Sequence, residues 1–208
     1  MAFLIRADAI DCHHDFSGCT SRLSGLREKI PFFSLFRFVL ILSLSFFSPH
    51  EVKAEPYQAG EYQVKAAFLL NFANFIQWPQ GALGDDTFTI GILGQDPFGS
   101  ASDSLKGKTV KGRKVVIKRY DDPEDAREAD ILFISASEKR ALPRILKTIK
   151  GNSILTVGDS KDFGRSGVMI NLLLMRKRVG FEINLAAAQR DGLQISSNLL
   201  KLAQEVFE

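Results

Sequence analysis

Six short apolar runs, each followed by a polar or helix-forming stretch, constrain this chain more than any other feature. They read "TFTIGIL" (87–93), "RKVVIKRY" (113–120), "ILFIS" (131–135), "SILTVGD" (153–159), "GVMINLLLM" (167–175) and "RVGFEIN" (178–184). "ILFIS" is apolar throughout its first four residues, the pattern of a strand buried on both faces. Between the runs the sequence predicts a short helix over 97–107 closed by Gly107, and an acidic turn with one helical turn over 121–130. It also predicts a helix capped by Ser137 that runs to about Lys150 and is bent by Pro143. Strands alternating with helices at this spacing pair in parallel through right-handed crossovers. Only Arg176 and Lys177 join the last two strands, so that pair should be antiparallel. The expected fold is a single α/β domain: a mostly parallel central sheet, helices on both faces, and an antiparallel C-terminal strand pair.

Ahead of the sheet, residues 58–77 predict a helix with a broad apolar surface. That surface comprises Val64, Ala67, Phe68, Phe72, Phe75 and Ile76, widened by Ala66, Leu69 and Leu70, so the helix should be largely buried, in a core or against a partner. Trp78-Pro79 stops it. At the other end, alternation in 178–184 sends Val179, Phe181 and Ile183 one way and Glu182 and Asn184 the other. Asn184 is placed to cap a helix starting at Leu185, Gly192 to end that helix, and Ser196 or Ser197 to cap the next. That last helix turns Leu199, Leu200 and Ala203 toward the core.

The first 54 residues read as a leader. "FVLILSLSFF" (38–47) is an apolar run of ten, preceded by Arg27, Lys29 and Arg37 and followed by Val52-Lys53-Ala54. A basic segment, a short apolar core and small or apolar residues at the cleavage site describe a secretory signal peptide, and ten residues are too few to span a bilayer. The long stretch before the run suggests a misassigned start. Cys12, His13, His14 and Cys19 lie there, and their spacing is not that of a structural zinc site. The domain expected is 55–208, secreted to the periplasm after cleavage following Ala54.

That segment holds 21 basic and 19 acidic residues and no cysteine or histidine. A net charge of +2 does not suggest nucleic-acid binding. Without imidazole or thiol it has no Ser-His-Asp triad, no disulfide and no Cys/His metal site, so neither catalytic residues nor a metal or other cofactor are expected. A hydrolase built on Asp96, Asp159 or Glu182 is the enzymatic alternative. Two loops on one edge of the sheet are candidate binding loops, since ligands gather at the carboxyl ends of parallel strands. "GILGQDPFG" (91–99) brings Asp96 and Phe98, and "TVGDSKDFGRSG" (156–167) brings Asp159. The glycines of the first fit neither phosphate-binding fingerprint, Asp96 would repel phosphate, and ordinary turn chemistry explains both loops equally well.

Taken together, the leader, "YQVKAAFLLNFANFIQWP", "FTIGILGQDPFG", "ADILFIS", "ILTVGDSKDF" and "RVGFEINLAAAQRDGLQISSNLLKLA" resemble the YfiR family of periplasmic proteins, in order and over 58–205. The resemblance implies an α/β periplasmic protein without enzymatic activity. The family's type member represses a membrane-bound diguanylate cyclase by binding its periplasmic sensor domain, and its release raises cyclic-di-GMP and promotes biofilm. The implied partner is thus the periplasmic domain of an inner-membrane diguanylate cyclase or sensor kinase. The alternative is a periplasmic protein that binds or senses a small molecule. A homodimer would follow if the first or last helix exposes apolar surface. The type member also uses cysteine pairing, which residues 55–208 cannot do. Matching the family's motifs makes Trp78 of "WP", Glu182 of "FEIN", and Gln194 and Ser196 of "LQISS" candidates for a ligand or partner pocket. They can converge only if the first helix ends beside the start of the last.

Overall fold

The computed structural model describes residues 56–84, 86–176 and 178–208, so the expected leader lies outside the described residues. In chain order these form α1 (Pro56–Phe75), β1 (Ile76–Gln77), β2 (Thr87–Leu93), β3 (Thr109–Val110), β4 (Arg113–Tyr120), β5 (Ile131–Ile134), α2 (Leu142–Ile149), β6 (Leu155–Gly158), β7 (Ile170–Met175), β8 (Arg178–Asn184), α3 (Leu185–Arg190), β9 (Gln194–Ile195), α4 (Ser197–Leu200) and β10 (Glu205–Phe207). Short 3-10 turns at Gly99–Leu105, Asp125–Glu128 and Ala136–Glu138 fill the connections.

Eight strands make one sheet in the order β10-β8-β7-β6-β5-β2-β4-β3, and β1 pairs with β9 in a separate two-stranded ribbon. Within the eight-stranded sheet pairing is parallel except for β7–β8 and β3–β4, and the β1–β9 ribbon is antiparallel. The antiparallel pair predicted at the C-terminal end is present, but it is not the edge of the sheet. The chain turns back after α4 and lays β10 parallel to β8, with Glu205 opposite Glu182.

Alternation along the strands splits the core into two layers. In β5, Ile131 and Phe133 join the layer under α1, while Leu132 and Ile134 join the layer under α2. The α1 layer is built on aromatic contacts: the Phe72 and Phe181 rings lie 5.2 Å apart and those of Phe98 and Phe133 lie 4.7 Å apart, both edge to face. The α2 layer gathers Leu142, Ile145, Ile149, Ile154 and Phe163.

Two helices differ from expectation. The buried stripe of α1 is Ala66, Leu69, Phe72, Ala73 and then Ile76, together with Lys65, whereas Val64 is 46% exposed and Ala67 is exposed. Most of the expected surface is buried or half-buried, but it was drawn too wide, because apolar residues surround most of the helix and leave the periodic signal weak. The helix expected over 137–150 begins only at Leu142, so Pro143 falls in its first turn, where proline needs no hydrogen bond, and does not bend it. Ser137 is not its cap. Its hydroxyl accepts from the Gln95 backbone and donates to Glu138.

Where β5 begins, Asp130 Oδ2 accepts from the Thr89 N–H at 2.6 Å and ties β5 to β2. Burial raises the Asp130 carboxyl above the usual carboxylate range, opposed in part by that bond and by the Arg113 charge. A raised carboxyl binds its proton more tightly in the folded state. Its contribution to stability is therefore full below the ordinary value of about 3.9 and lost as pH rises through the raised one. Asp130→Asn keeps an acceptor for Thr89 and removes the titration. Melting curves between about pH 4 and 7 should show the wild type gaining on the variant as pH falls. A difference that grows toward neutral pH in the wild type's favour contradicts this assignment.

Candidate functional site

The parallel part of the sheet runs β4-β2-β5-β6-β7. From β2 the chain crosses to β4 through a 3-10 turn packed in the α1 layer, with Ala101 and Leu105 buried there. It returns from β4 to β5 through a turn packed in the α2 layer, with Ala126 buried there. The chain leaves β5 through α2, on the face opposite the turn that leaves β2, which opens a crevice at the carboxyl ends of these neighbouring strands. The register sets Leu93 beside Ile134 and Ile134 beside Gly158, so the loops after β2, β5 and β6 emerge side by side. Gly94, at φ +84°, lets the first two loops meet, since a Cβ there would lie 2.5 Å from both Ser137 Oγ and Glu138 Oε1.

A cleft of about 480 Å³ occupies this position, bounded by Tyr62 of α1, Asp96 and Phe98 after β2, Ser135 and Ser137 after β5, and Asp159 after β6. Behind it sits a charged group that periodicity did not reveal. Lys65 Nζ lies 2.7 Å from Asp159 Oδ2 and 2.5 Å from Glu61 Oε1, and the Lys65 and Asp159 side chains are each only 4% exposed. The Tyr62 hydroxyl donates to the same Asp159 oxygen at 2.8 Å. Burial, helped by the Asp159 charge, raises the Tyr62 phenol and keeps it a donor. Asp96 is internally satisfied: Oδ1 accepts from the Phe98 N–H at 2.7 Å and Oδ2 from Arg119 Nε at 2.8 Å. Phe98 packs edge to face against Tyr62, with ring centroids 5.3 Å apart.

The loop candidates Asp96, Phe98 and Asp159 therefore share one cleft, and Tyr62, Lys65 and Ser135 were missed. The legible signal for Lys65 was a lysine inside an otherwise apolar helix, four residues after Glu61.

The family-matched candidates divide. Ile76 pairs with Ile195 and Gln77 with Gln194, and the Ser196 N–H donates to the Phe75 carbonyl at 2.9 Å. The first helix thus ends beside the start of the last, which brings Trp78, Gln194 and Ser196 to one junction. Trp78 stacks edge to face on Phe88, faces Lys111, and has a buried Nε1 with no partner among the described residues. Ser196 spends its hydroxyl on capping α4, accepting from the Leu199 N–H. Glu182 does not join this junction. It accepts from Asn171 Nδ2 at 2.9 Å, and a Cβ added at Gly164 would lie 2.6 Å from its Oε1. It therefore packs β8 against β7 and the loop after β6. Beside it, Asn184 caps α3 through the Ala187 N–H, as predicted, and also donates to the Gly164 carbonyl.

A family model described as YfiR/HmsC-like matches residues 62–204. Two solved structures show more distant likeness. A conserved domain protein from Vibrio cholerae O1 biovar El Tor is 11% identical, with a TM-score of 0.49 over 70% of this chain and 60% of that one. The ABC domain from Streptococcus pneumonia, crystallised in complex with L-Trp, is 13% identical, with a TM-score of 0.44 over 61% of this chain and 57% of that one. This chain spans about three fifths of the length of each.

Proposed function

Since this chain belongs to the YfiR/HmsC-like family, we propose that it represses a membrane-bound signalling enzyme, a diguanylate cyclase or a sensor kinase, by contacting its periplasmic sensor domain. The family match over 62–204 carries this reading, because the family is one of periplasmic regulatory proteins that act through protein partners. Export through a leader cleaved after Ala54 belongs to the same proposal. No helix among the described residues is long and apolar enough to cross a membrane.

A contact surface of the right character is available. Leu174 and Met175, at the end of the β7–β8 hairpin, are 46% and 39% exposed, and Leu202, after α4, is 63% exposed. Gln204 donates from its backbone to the Phe181 carbonyl, which ties the segment after α4 to β8. Exposed large apolar side chains mark a protein contact when they form one contiguous patch. The Trp78–Gln194–Ser196 junction is a second candidate contact.

Affinity purification from solubilised membranes should recover an inner-membrane receptor with a periplasmic sensor domain. The double variant Leu174→Glu, Leu202→Glu should lose it by at least about tenfold while melting within a few degrees of the wild type. Recovery of no such receptor by the wild type would overturn the proposal. Light scattering on the purified chain tells a receptor from a second copy as the occupant of this edge.

A further inference from the structure

We infer that the cleft at the carboxyl ends of β2, β5 and β6 is a binding site for a small organic ammonium ion, with Asp159 as its counter-charge. Its position is the first indication. In an open α/β sheet the crevice forms where the strand order reverses, and β2 and β5 are neighbours whose onward connections run in opposite directions along the sheet, to β4 and to β6. The volume, about 480 Å³, lies in the range of small-molecule sites.

Unused hydrogen-bonding capacity points to the same cleft. Asp159 Oδ2 is taken by Lys65 and Tyr62, but among the described residues Oδ1 has no partner, although the side chain is 4% exposed and lines the cleft. Ser135 is likewise 4% exposed, lines the cleft, and has a hydroxyl without a partner among the described residues. A carboxylate oxygen and a hydroxyl that face the cleft without a protein partner are free to accept from a bound donor.

Charge fixes the sign of that donor. Around the cleft stand four carboxylates, Glu61, Asp96, Glu138 and Asp159, against two cations, Lys65 and Arg119. The surplus is negative, so phosphate and carboxylate ligands are repelled and a cation is drawn in. The walls supply the rest of the specificity. Tyr62, Phe98 and Pro97 offer an apolar flank against which an alkyl or aryl body can lie, with its ammonium on Asp159 Oδ1. Tyr62 and Lys65 both stand on α1, so an occupant would touch the helix whose far end forms the junction with β9.

The site stands apart from the proposed partner, because its test uses the purified chain alone. Tyramine and putrescine are the probes, with tyrosol and 1,4-butanediol as neutral matches of similar shape and inorganic phosphate as the anion, read by calorimetry. At least one amine should bind no less than about tenfold more tightly than its alcohol. Asp159→Asn should weaken amine binding by a similar factor. Ala136→Trp, which fills the cleft from an exposed position without removing an internal bond, should abolish binding with the melting temperature preserved. Binding of neither amine at millimolar concentration, equal binding of amine and alcohol, preference for phosphate, or amine binding undiminished in Ala136→Trp would each overturn the inference.

Discussion

Replacing Lys65 with methionine should lower stability by about 3–5 kcal/mol, the largest effect of any single polar substitution proposed for this domain. Lys65 Nζ bridges Glu61 and Asp159 and rests 4.3 Å from the centroid of the Tyr62 ring. Without it, the Glu61 and Asp159 carboxylates, 12% and 4% exposed, lose the cation they share, and among the described residues Asp159 keeps only the Tyr62 hydroxyl. The size of the effect reflects the charges left behind and not the intrinsic strength of the bridge, since a buried ion pair replaced as a unit is often neutral. Adding Asp159→Asn to Lys65→Met should therefore recover part of the loss. In a domain of this length each kcal/mol moves the midpoint by about 2–4 °C, so thermal denaturation should show the single variant melting roughly 6–20 °C lower. A shift under about 2 °C, or a double variant less stable than the single one, would show that these charges are not coupled.

Asn184→Ala should cost about 2–4 kcal/mol, more than the loss of an ordinary helix cap, which is about 1. The side chain does two jobs at one strand-to-helix junction. Oδ1 accepts from the Ala187 N–H at 2.8 Å, and Nδ2 donates to the Gly164 carbonyl at 2.8 Å, in surroundings where Asn184 is 9% exposed. Alanine leaves both partners short of a bond. Asn184→Asp separates the two jobs, because aspartate caps as well as asparagine but turns a second acceptor toward an acceptor. It should fall well below the wild type, and hydrogen exchange in the loop 160–167 should speed up in both variants. An aspartate variant as stable as the wild type would reduce Asn184 to a cap.

This junction was half legible. The spacing of "FEIN" and "LAAAQ" announces the strand, the cap and the helix, because all three are local. That Gly164 would receive the other end of the amide depends on a loop twenty residues away. Glu182 shows the same division. Alternation places it opposite Phe181 and Ile183, but only the pairing of Asn171 with Glu182 across β7–β8 turns a carboxylate in a strand into an internal hydrogen bond. The loop candidates Asp96, Phe98 and Asp159 were found together because parallel strands send their carboxyl ends to one edge, a rule that needs no coordinates. Lys65, which meets them there, came from a helix on which no such rule acts.

The sequence alone determined the elements with a strong local signature. β2, β4 and β8 are where alternation and apolar runs put them, and Asn184, Gly192 and Ser196 act at their helix ends as residues that cap or terminate locally do. The tertiary structure decided the rotation of α1 and the existence of β1, β3, β9 and β10, which are two or three residues long. A strand that short has no period to read and forms because a partner edge lies beside it. A helix apolar on nearly every side has no preferred inward face until something distant selects one. Here the selection falls to Asp159, ninety-four residues beyond Lys65, and to β9, which clasps the helix at its other end.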